Sequence, residues 1–219
     1  MADRQHRDAN ATYMDKNGRD RFLPKTQVQQ IYELSCGAAC LLCAAIELDS
    51  TPVPAGDSKW DFFVNEGHSL DGPRVQWQQL IYGLCRAPSG YSMPSGVVKT
   101  AQLLGMNASV LLAGTNTTGA LKWEYPEEIK KCLGSIEATK STKNLQLRPN
   151  ERVMHCMRFA GANLHWVLQR DDNSYMDPAD GTDRTDRKAM KKTGQSTTVL
   201  KAKVTFSYHG TGLAVKVWK

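Results

Sequence analysis

Apolar residues dominate one continuous segment in the first third of the chain. The run SCGAACLLCAAIEL, which starts at Ser35, is apolar or small at almost every position. This pattern predicts a helix that is buried on all sides, unlike a surface helix with a single apolar stripe. We expect this helix to be central to the fold and to begin near Cys36, with Ser35 as its N-terminal cap.

Three further segments have the spacing of amphipathic helices. The segment SKWDFFVNEG predicts a short helix that Ser58 caps and Gly67 ends. The segment MPSGVVKTAQLLG carries an apolar stripe and stops at Gly105. In PRVQWQQLIYGL, the apolar residues of one helical face are Trp77, Leu80, Ile81 and Leu84. The first half of the chain is therefore predicted to be mostly helical.

The pattern changes after Gly105. Strands are predicted in ASVLLA and RVMHCMRF, and a helix with proline in its first turn is predicted in PEEIKKCL. The segments LHWVLQR and SYMDP flank the turn residues 171–173 and predict a hairpin. The segments AKVTFSYHG and GLAVKVW, around Gly210 and Gly212, predict a second hairpin that closes the sheet.

Helices that precede an antiparallel sheet indicate an α+β fold. We expect a polar tail over residues 1–22 and one domain over residues 23–219. Within that domain, a helical lobe of about residues 23–105 would pack on a sheet lobe of about residues 106–219. A cleft between the lobes would bring the early central helix against the late hairpin.

Charge and composition narrow the classes of function. The formal net charge is +6 and the pI is about 9.0. The basic excess lies in residues 184–203, a polar stretch without an aromatic residue. We interpret this stretch as a solvated loop and do not expect nucleic-acid binding, because single-strand binding needs stacking rings among the charges.

The cysteines and the N-terminal residues bear on the cellular compartment. Three of the six cysteines lie within eight residues of one predicted helix, where disulfides make little sense. Reduced thiols and synthesis in the cytoplasm are therefore expected. The first 21 residues contain no apolar segment that would form a secretory signal or an anchor, and the longest apolar run is too short for a bilayer. We expect no membrane interaction.

Cys36 is placed to act as a nucleophile. The N-terminus of a buried helix favours the thiolate form of a cysteine through the helix dipole and free N–H groups. Gln30 lies six residues earlier, where its side-chain amide can point at an oxyanion beside the sulfur. The same offset before the two other cysteines of this helix gives Leu34 and Gly37, which offer no side-chain donor. Gln29 is an adjacent alternative to Gln30.

The segments QIYELSCGAAC, NLHWVLQRDDNSYMDP and PSGVVKTAQLLG resemble the papain-like cysteine peptidase superfamily, nearest the bacterial double-glycine-type (bacteriocin-processing-like) peptidases. The resemblance implies a papain-like fold in which Cys36 attacks and Gln30 holds the oxyanion. It further implies that His165, 129 residues after the cysteine, is the base and that Asp177 orients it. Gly37 follows Cys36 where papain has an aromatic residue, so the resemblance is to the wider superfamily.

The length of the hairpin turn decides the third member of this triad. With a three-residue turn, Ala179 lies directly opposite His165, and Asp177 lies on the same face of the hairpin in the diagonal position. With a two-residue turn, Asp180 lies opposite His165 instead. We favour Asp177, because Pro178 tends to end the ladder there.

Two rival chemical interpretations remain. Cys36, Cys40 and Cys43 have the C-x3-C-x2-C spacing with which some enzymes hold an iron–sulfur cluster, although an apolar helix is a poor place for one. His155 could replace His165 as the base, although no Asp-Pro hairpin follows it. We expect neither a metal nor another cofactor.

These observations predict a cysteine protease that cleaves protein substrates through a thioester. By resemblance, the protein is expected to be a bacterial effector or antibacterial toxin, made in the cytoplasm without a signal peptide. A specialised secretion system would deliver it into the cytoplasm of a target cell, and an immunity or inhibitor protein would oppose it. A glutamine deamidase or transglutaminase uses the same residues. A non-catalytic module that binds peptides or nucleic acid is the alternative from another class.

Overall fold

A computed structural model describes residues 13–14, 20–21, 25–113, 126–143, 145–159, 163–186, 191–195 and 203–219. Helices occupy most of its first part and strands most of its second part, which is the α+β order that the sequence predicts. None of the helices in these ranges is long and apolar enough to cross a membrane. Most of the predicted tail over residues 1–22 lies outside the described residues.

The described residues form five α-helices. They are α1 (Cys36–Glu47), α2 (Ser58–Asn65), α3 (Arg74–Cys85), α4 (Pro94–Leu103) and α5 (Pro126–Lys131), which a 3-10 turn follows at Leu133–Ser135. Every residue of α1 is buried, as its apolar pattern predicts. α1 packs against α3 and α4 on one side and against the sheet on the other.

Two helix caps differ from the sequence prediction. Ser35 occupies the N-cap position of α1, but its side chain accepts no hydrogen bond from the first turn. Its hydroxyl instead donates to the Tyr32 carbonyl at 3.0 Å. Asp57 rather than Ser58 caps α2, because the Asp57 carboxylate accepts from two N–H groups of the first turn. The positive end of α1 is therefore not covered by a capping side chain.

The strands are β1 (Tyr13–Met14), β2 (Asp20–Arg21), β3 (Asn107–Ala113), β4 (Ile136–Thr139), β5 (Glu151–Phe159), β6 (Asn163–Gln169), β7 (Tyr175–Asp177), β8 (Thr182–Arg184), β9 (Lys191–Gln195), β10 (Lys203–Ser207) and β11 (His209–Trp218). Seven of them form one sheet in the order β4-β3-β11-β5-β6-β7-β8. The sheet is mixed rather than purely antiparallel, because β3 and β4 are parallel. A parallel pair needs a long crossover connection, and α5 lies in this one.

The predicted second hairpin at the end of the chain is wrong. β11 pairs with β3 along one edge and with β5 along the other, so it has no edge left for β10. β10 pairs instead with β9 in a separate two-stranded sheet. The expected solvated loop over residues 184–203 is corrected as well, because β8 ends and β9 lies within it.

One large apolar core joins the helices to one face of the sheet. Along β6, Trp166 and Leu168 face this core. Val167 lies between them and faces the opposite side of the sheet, in a smaller cluster with Met157 and Tyr208. The side chains of β6 therefore alternate between the helical layer and a second, smaller apolar layer.

A buried ion network ties the end of α1 to the sheet. The carboxylate of Glu47 is fully buried and accepts from Arg152 Nε at 2.7 Å and from Arg170 Nε at 2.8 Å. Arg170 also donates to the Thr26 carbonyl at 2.8 Å and to Asp183 at 2.9 Å. Burial opposes ionisation of Glu47, but the two guanidinium groups hold the pKa of its carboxyl below the usual range. No periodicity in the sequence predicts this network.

Candidate active site

The candidate site forms where the ladder between β6 and β7 opens. The observed register, continued by two residues, would pair Trp166 with Pro178. Proline has no N–H and cannot continue the ladder. The Trp166 N–H donates instead to Cys36 Sγ at 3.4 Å, and the Pro178 carbonyl accepts from the Gln30 N–H at 2.8 Å. The start of α1 and the loop before it are therefore inserted into this opening.

Cys36 is the first residue of α1 and is 2% exposed. Its sulfur lies at the N-terminal end of a 12-residue helix, where the helix dipole is positive. The Trp166 N–H, which donates to the sulfur, favours negative charge there as well. The backbone around Cys36 is therefore arranged to stabilise an anion.

His165 lies between Cys36 and Asp177. Its Nε2 is 2.8 Å from Asp177 Oδ1, and both side chains are buried. The Cys36 thiol also hydrogen bonds to the His165 ring. Because Nε2 faces Asp177, Nδ1 is the ring nitrogen that remains for this bond. Burial lowers the pKa of His165, but its hydrogen bonds to Asp177 and Cys36 and their charges raise the pKa to about 9. The imidazolium is therefore the stable form of the ring at neutral pH.

Asp177, and not Asp180, is the carboxylate beside His165. The register of β6 and β7 leaves a three-residue turn at residues 171–173, so Asp177 shares the His165 face as predicted. Asp180 instead accepts from Arg184 at 2.5 Å. Burial raises the pKa of Asp177, but the hydrogen bond and charge of His165 outweigh it and hold the pKa below the usual range.

Asp177→Asn is expected to lower the pKa of His165 by about one unit or more, because burial then acts without an opposing carboxylate. In wild type, the pKa of His165 is about 9 in the folded protein and about 6.5 in the unfolded chain. The protonated ring therefore stabilises the fold fully below about pH 6.5, and this contribution is lost as the pH rises through 9. An NMR titration of the His165 ring measures both midpoints. Asp180→Asn is the matched control and should leave the midpoint unchanged. An unchanged midpoint in Asp177→Asn would contradict the assigned pairing.

Tyr208 covers the His165–Asp177 pair, a contact that no sequence motif indicates. Its ring stacks on that of His165, with centroids 5.0 Å apart and 20° between the planes. Tyr208 is only 7% exposed, and burial together with the charge of Asp177 raises the pKa of its hydroxyl. The ring excludes water from the hydrogen bond beneath it, which strengthens that bond in a low local dielectric.

Gln30 lies beside the site, but its amide points into its own loop. Nε2 donates to the Tyr32 carbonyl at 2.8 Å and to the Glu33 carbonyl at 2.6 Å, which uses both amide protons. The side chain must therefore turn before it can donate to an oxyanion. Gln29, the alternative donor, is exposed.

Gln78 of α3 supports this loop and was not singled out by the sequence pattern. It is 2% exposed. Its Oε1 accepts from the Ile31 N–H at 2.7 Å, and its Nε2 donates to the Gln29 carbonyl at 3.0 Å. A buried glutamine in an otherwise apolar helical face is the signal in the sequence that indicates such a role.

Gly37 allows the start of α1 to pack closely against the side chains of Ser92 and Trp166. A Cβ atom at this position would lie 2.4 Å from Ser92 Cβ and 3.2 Å from the Trp166 ring. The Trp166 indole N–H in turn donates to the Ser92 carbonyl at 2.9 Å. No side chain fits directly after Cys36, which explains why an aromatic residue is absent there.

The structure does not support His155 as the base, nor the three cysteines of α1 as ligands of an iron–sulfur cluster. His155 Nε2 lies 2.7 Å from Gln169 Oε1 on the neighbouring strand, away from the thiol. Cys40 and Cys43 lie inside α1, and burial raises the pKa of both thiols. In the part of the chain that the structure describes, no group of three or more histidine, cysteine and acidic side chains is arranged to hold a metal ion. All six cysteines are free thiols.

A thiol, an imidazole and a carboxylate in hydrogen-bonded order form the arrangement that cysteine hydrolases use. The family model described as "Invasion plasmid antigen J, cysteine protease" matches residues 28–218. The chain therefore belongs to this family of cysteine proteases. It is 32% identical to "Cysteine protease IpaJ" of Shigella flexneri over 174 residues, which cover 70% of this chain and 64% of that protein. The chain thus spans less than two thirds of the length of that relative.

This family is not the double-glycine-type group that the resemblance places nearest. The order Gln, Cys, His, Asp is common to the wider superfamily, so it does not discriminate among the families within it. No solved structure matches the chain significantly.

Proposed function

We propose that this protein is a cysteine protease that cleaves protein substrates with Cys36 as its nucleophile. The observation that carries the proposal is the hydrogen-bonded order Cys36, His165, Asp177 at the start of a buried helix. Membership of a cysteine protease family supports the same activity.

The reaction starts from the Cys36 thiolate and the His165 imidazolium. The sulfur attacks the substrate carbonyl carbon, and the π electron pair moves to the oxygen. When the tetrahedral intermediate collapses, the C–N bond breaks, His165 gives its proton to the leaving amine, and an acyl thioester remains on Cys36. Neutral His165 then takes a proton from water, whose oxygen attacks the thioester. The carboxylic acid product leaves, and the thiolate–imidazolium pair is restored.

Gln30→Ala is expected to lower kcat by about a hundredfold to a thousandfold, because Gln30 would donate to the oxyanion together with the Cys36 backbone N–H. The Gln30 amide must first release the two loop carbonyls that it binds. Steady-state kinetics on a cleaved substrate measure the change. The neighbouring, exposed Gln29→Ala is the control and should have little effect. Equal losses in the two variants would contradict the assignment.

We further propose a papain-like arrangement for the domain over residues 23–219, after a tail over residues 1–22. The helical lobe of about residues 23–105 supplies Cys36, and the sheet lobe of about residues 106–219 supplies His165 and Asp177. The insertion of the start of α1 into the opening of the β6–β7 ladder supports a site between the two lobes.

The family description, an invasion plasmid antigen, supports a role as a bacterial effector or toxin. In that role a secretion system would deliver the protein into a target cell, where its substrates are proteins. An immunity or inhibitor protein in the producing cell would bind over the site. The protein substrates and the immunity or inhibitor protein are both partners that we propose for this chain.

Mass spectrometry of a cell lysate treated with wild type or with Cys36→Ala tests the activity. New peptide termini that appear only with wild type are the expected result. A one-dalton shift at glutamine side chains without new termini would show a deamidase, and cross-links between glutamine and lysine would show a transglutaminase, since both reactions use the same thioester. Identical lysates would overturn the proposal of an enzyme.

A further inference from the structure

An open groove of about 490 Å³ lies beside the loop that precedes Cys36. One wall is formed by residues 32–34 of that loop, and the other by Gln79, Tyr82, Gly83 and Arg86 on the outer face of α3. Its volume lies within the range of ligand pockets, about 300–1,000 Å³. None of the residues that the mechanism uses, Cys36, His165, Asp177 and Gln30, lines this groove.

The walls of the groove are held in place by contacts within the protein. The rings of Tyr32 and Tyr82 lie 5.6 Å apart, and the Arg86 guanidinium lies 5.7 Å from the Tyr82 ring centre. Gln79 Nε2 donates to the Tyr32 hydroxyl at 3.1 Å. The Tyr82 hydroxyl donates to the Gly90 carbonyl at 2.8 Å. The aromatic surface is therefore formed before a ligand arrives, although Tyr32 is still 46% exposed.

Gly83 keeps the groove open. It lies inside α3, where glycine destabilises a helix relative to alanine. No backbone contact requires it, because a Cβ atom at Gly83 would have no heavy atom within 4 Å of it. A side chain at this exposed position would enter the groove.

The groove is continuous with the catalytic loop. The Tyr32 carbonyl accepts from Gln30 Nε2 at 2.8 Å and from the Ser35 hydroxyl at 3.0 Å, and Cys36 is the next residue. A chain bound against Tyr32 would thus contact the same short loop that presents the thiol and the proposed oxyanion donor.

We propose that this groove is a substrate subsite that binds a bulky apolar or aromatic side chain near the scissile bond of a polypeptide. This inference rests on the proposed protease activity. The rings of Tyr32 and Tyr82 offer a surface on which such a side chain stacks. Glu33 and Arg86, which have opposite charges, also line the groove. The groove therefore does not favour a substrate side chain of either charge.

The test compares wild type with Gly83→Leu on peptides from a trypsin digest of cell lysate. Wild type should prefer large apolar or aromatic residues at one position relative to the cleaved bond. Gly83→Leu should lower kcat/KM for such peptides at least about tenfold, because it fills the pocket, and should shift the preference at that position to small residues. The rate at which iodoacetamide alkylates Cys36 should stay the same, and the melting temperature should not fall.

Gln76→Leu is the matched control, since Gln76 is exposed on the same helix and does not line the groove. It should cleave as wild type does. If Gly83→Leu keeps the wild-type preference while cleavage still depends on Cys36, the subsite is refuted and the protease activity stands. If wild type shows no Cys36-dependent cleavage, the protease activity fails and the subsite fails with it.

Discussion

Cys36→Ala is expected to reduce turnover by about a millionfold, as loss of the nucleophile does in comparable triads. The reason is chemical, because alanine offers no atom that can form the acyl intermediate. The fold should persist, since alanine keeps the Cβ atom and only the sulfur, with its contacts to the Trp166 N–H and the His165 ring, is lost. Steady-state kinetics give the rate, and thermal unfolding shows that the variant is folded.

Cys85→Ala is the matched control for this variant. Cys85 is another buried thiol, and its sulfur lies 3.2 Å from the Ser92 hydroxyl. It plays no part in the proposed reaction, so turnover should stay close to that of wild type. A Cys36→Ala protein that retained a tenth of the wild-type rate would refute the mechanism.

Glu47→Ala is expected to lower the free energy of unfolding by about 3–5 kcal/mol, because it removes the carboxylate that two buried guanidinium groups share. The side chains of Arg152 and Arg170 are 1% and 0% exposed, so water cannot replace the lost partner. Denaturant unfolding at neutral pH measures the change. Because the pKa of Glu47 is lowered in the fold, its contribution is present above the ordinary value of about 4.3 and is lost as the pH falls through the lowered value.

Glu137→Gln is the control for the ion network. Glu137 pairs with Lys216 at 3.2 Å, but its side chain is 47% exposed. Exposed ion pairs contribute about 0–1 kcal/mol, so this change should hardly affect unfolding. Similar small losses in the Glu47 and Glu137 variants would show that the network does not hold α1 on the sheet.

The sequence predicts the parts of this protein that depend on local spacing. The apolar pattern from Ser35 onward predicts a fully buried helix, and α1 is one. Parity along the hairpin predicts that Asp177 shares a face with His165, because side chains alternate strictly along strands. The start of α1 at Cys36 is predicted correctly for the same reason, but the helix caps are not, because the Ser35 side chain does not cap α1 and Asp57 rather than Ser58 caps α2.

Contacts between distant segments could not be predicted in this way. The pairing of β11 with β3 and β5 depends on which edges are available in the assembled sheet, so the expected hairpin with β10 failed. Tyr208 reaches His165 from a segment without a motif. Glu47 meets Arg170 across 123 residues of sequence. The spacing of apolar residues within a segment does not predict which distant segment that segment will contact.

The rate at which iodoacetamide alkylates each cysteine near neutral pH tests the central claim most directly. Burial raises the pKa of Cys85 to about 12 and that of Cys132 to about 11, so both thiols should react slowly. Cys36, paired with the His165 imidazolium, should react at least about a hundredfold faster, and His165→Ala should abolish that advantage. If Cys36 in the folded wild-type protein reacts no faster than Cys85 and Cys132, it is not the activated nucleophile.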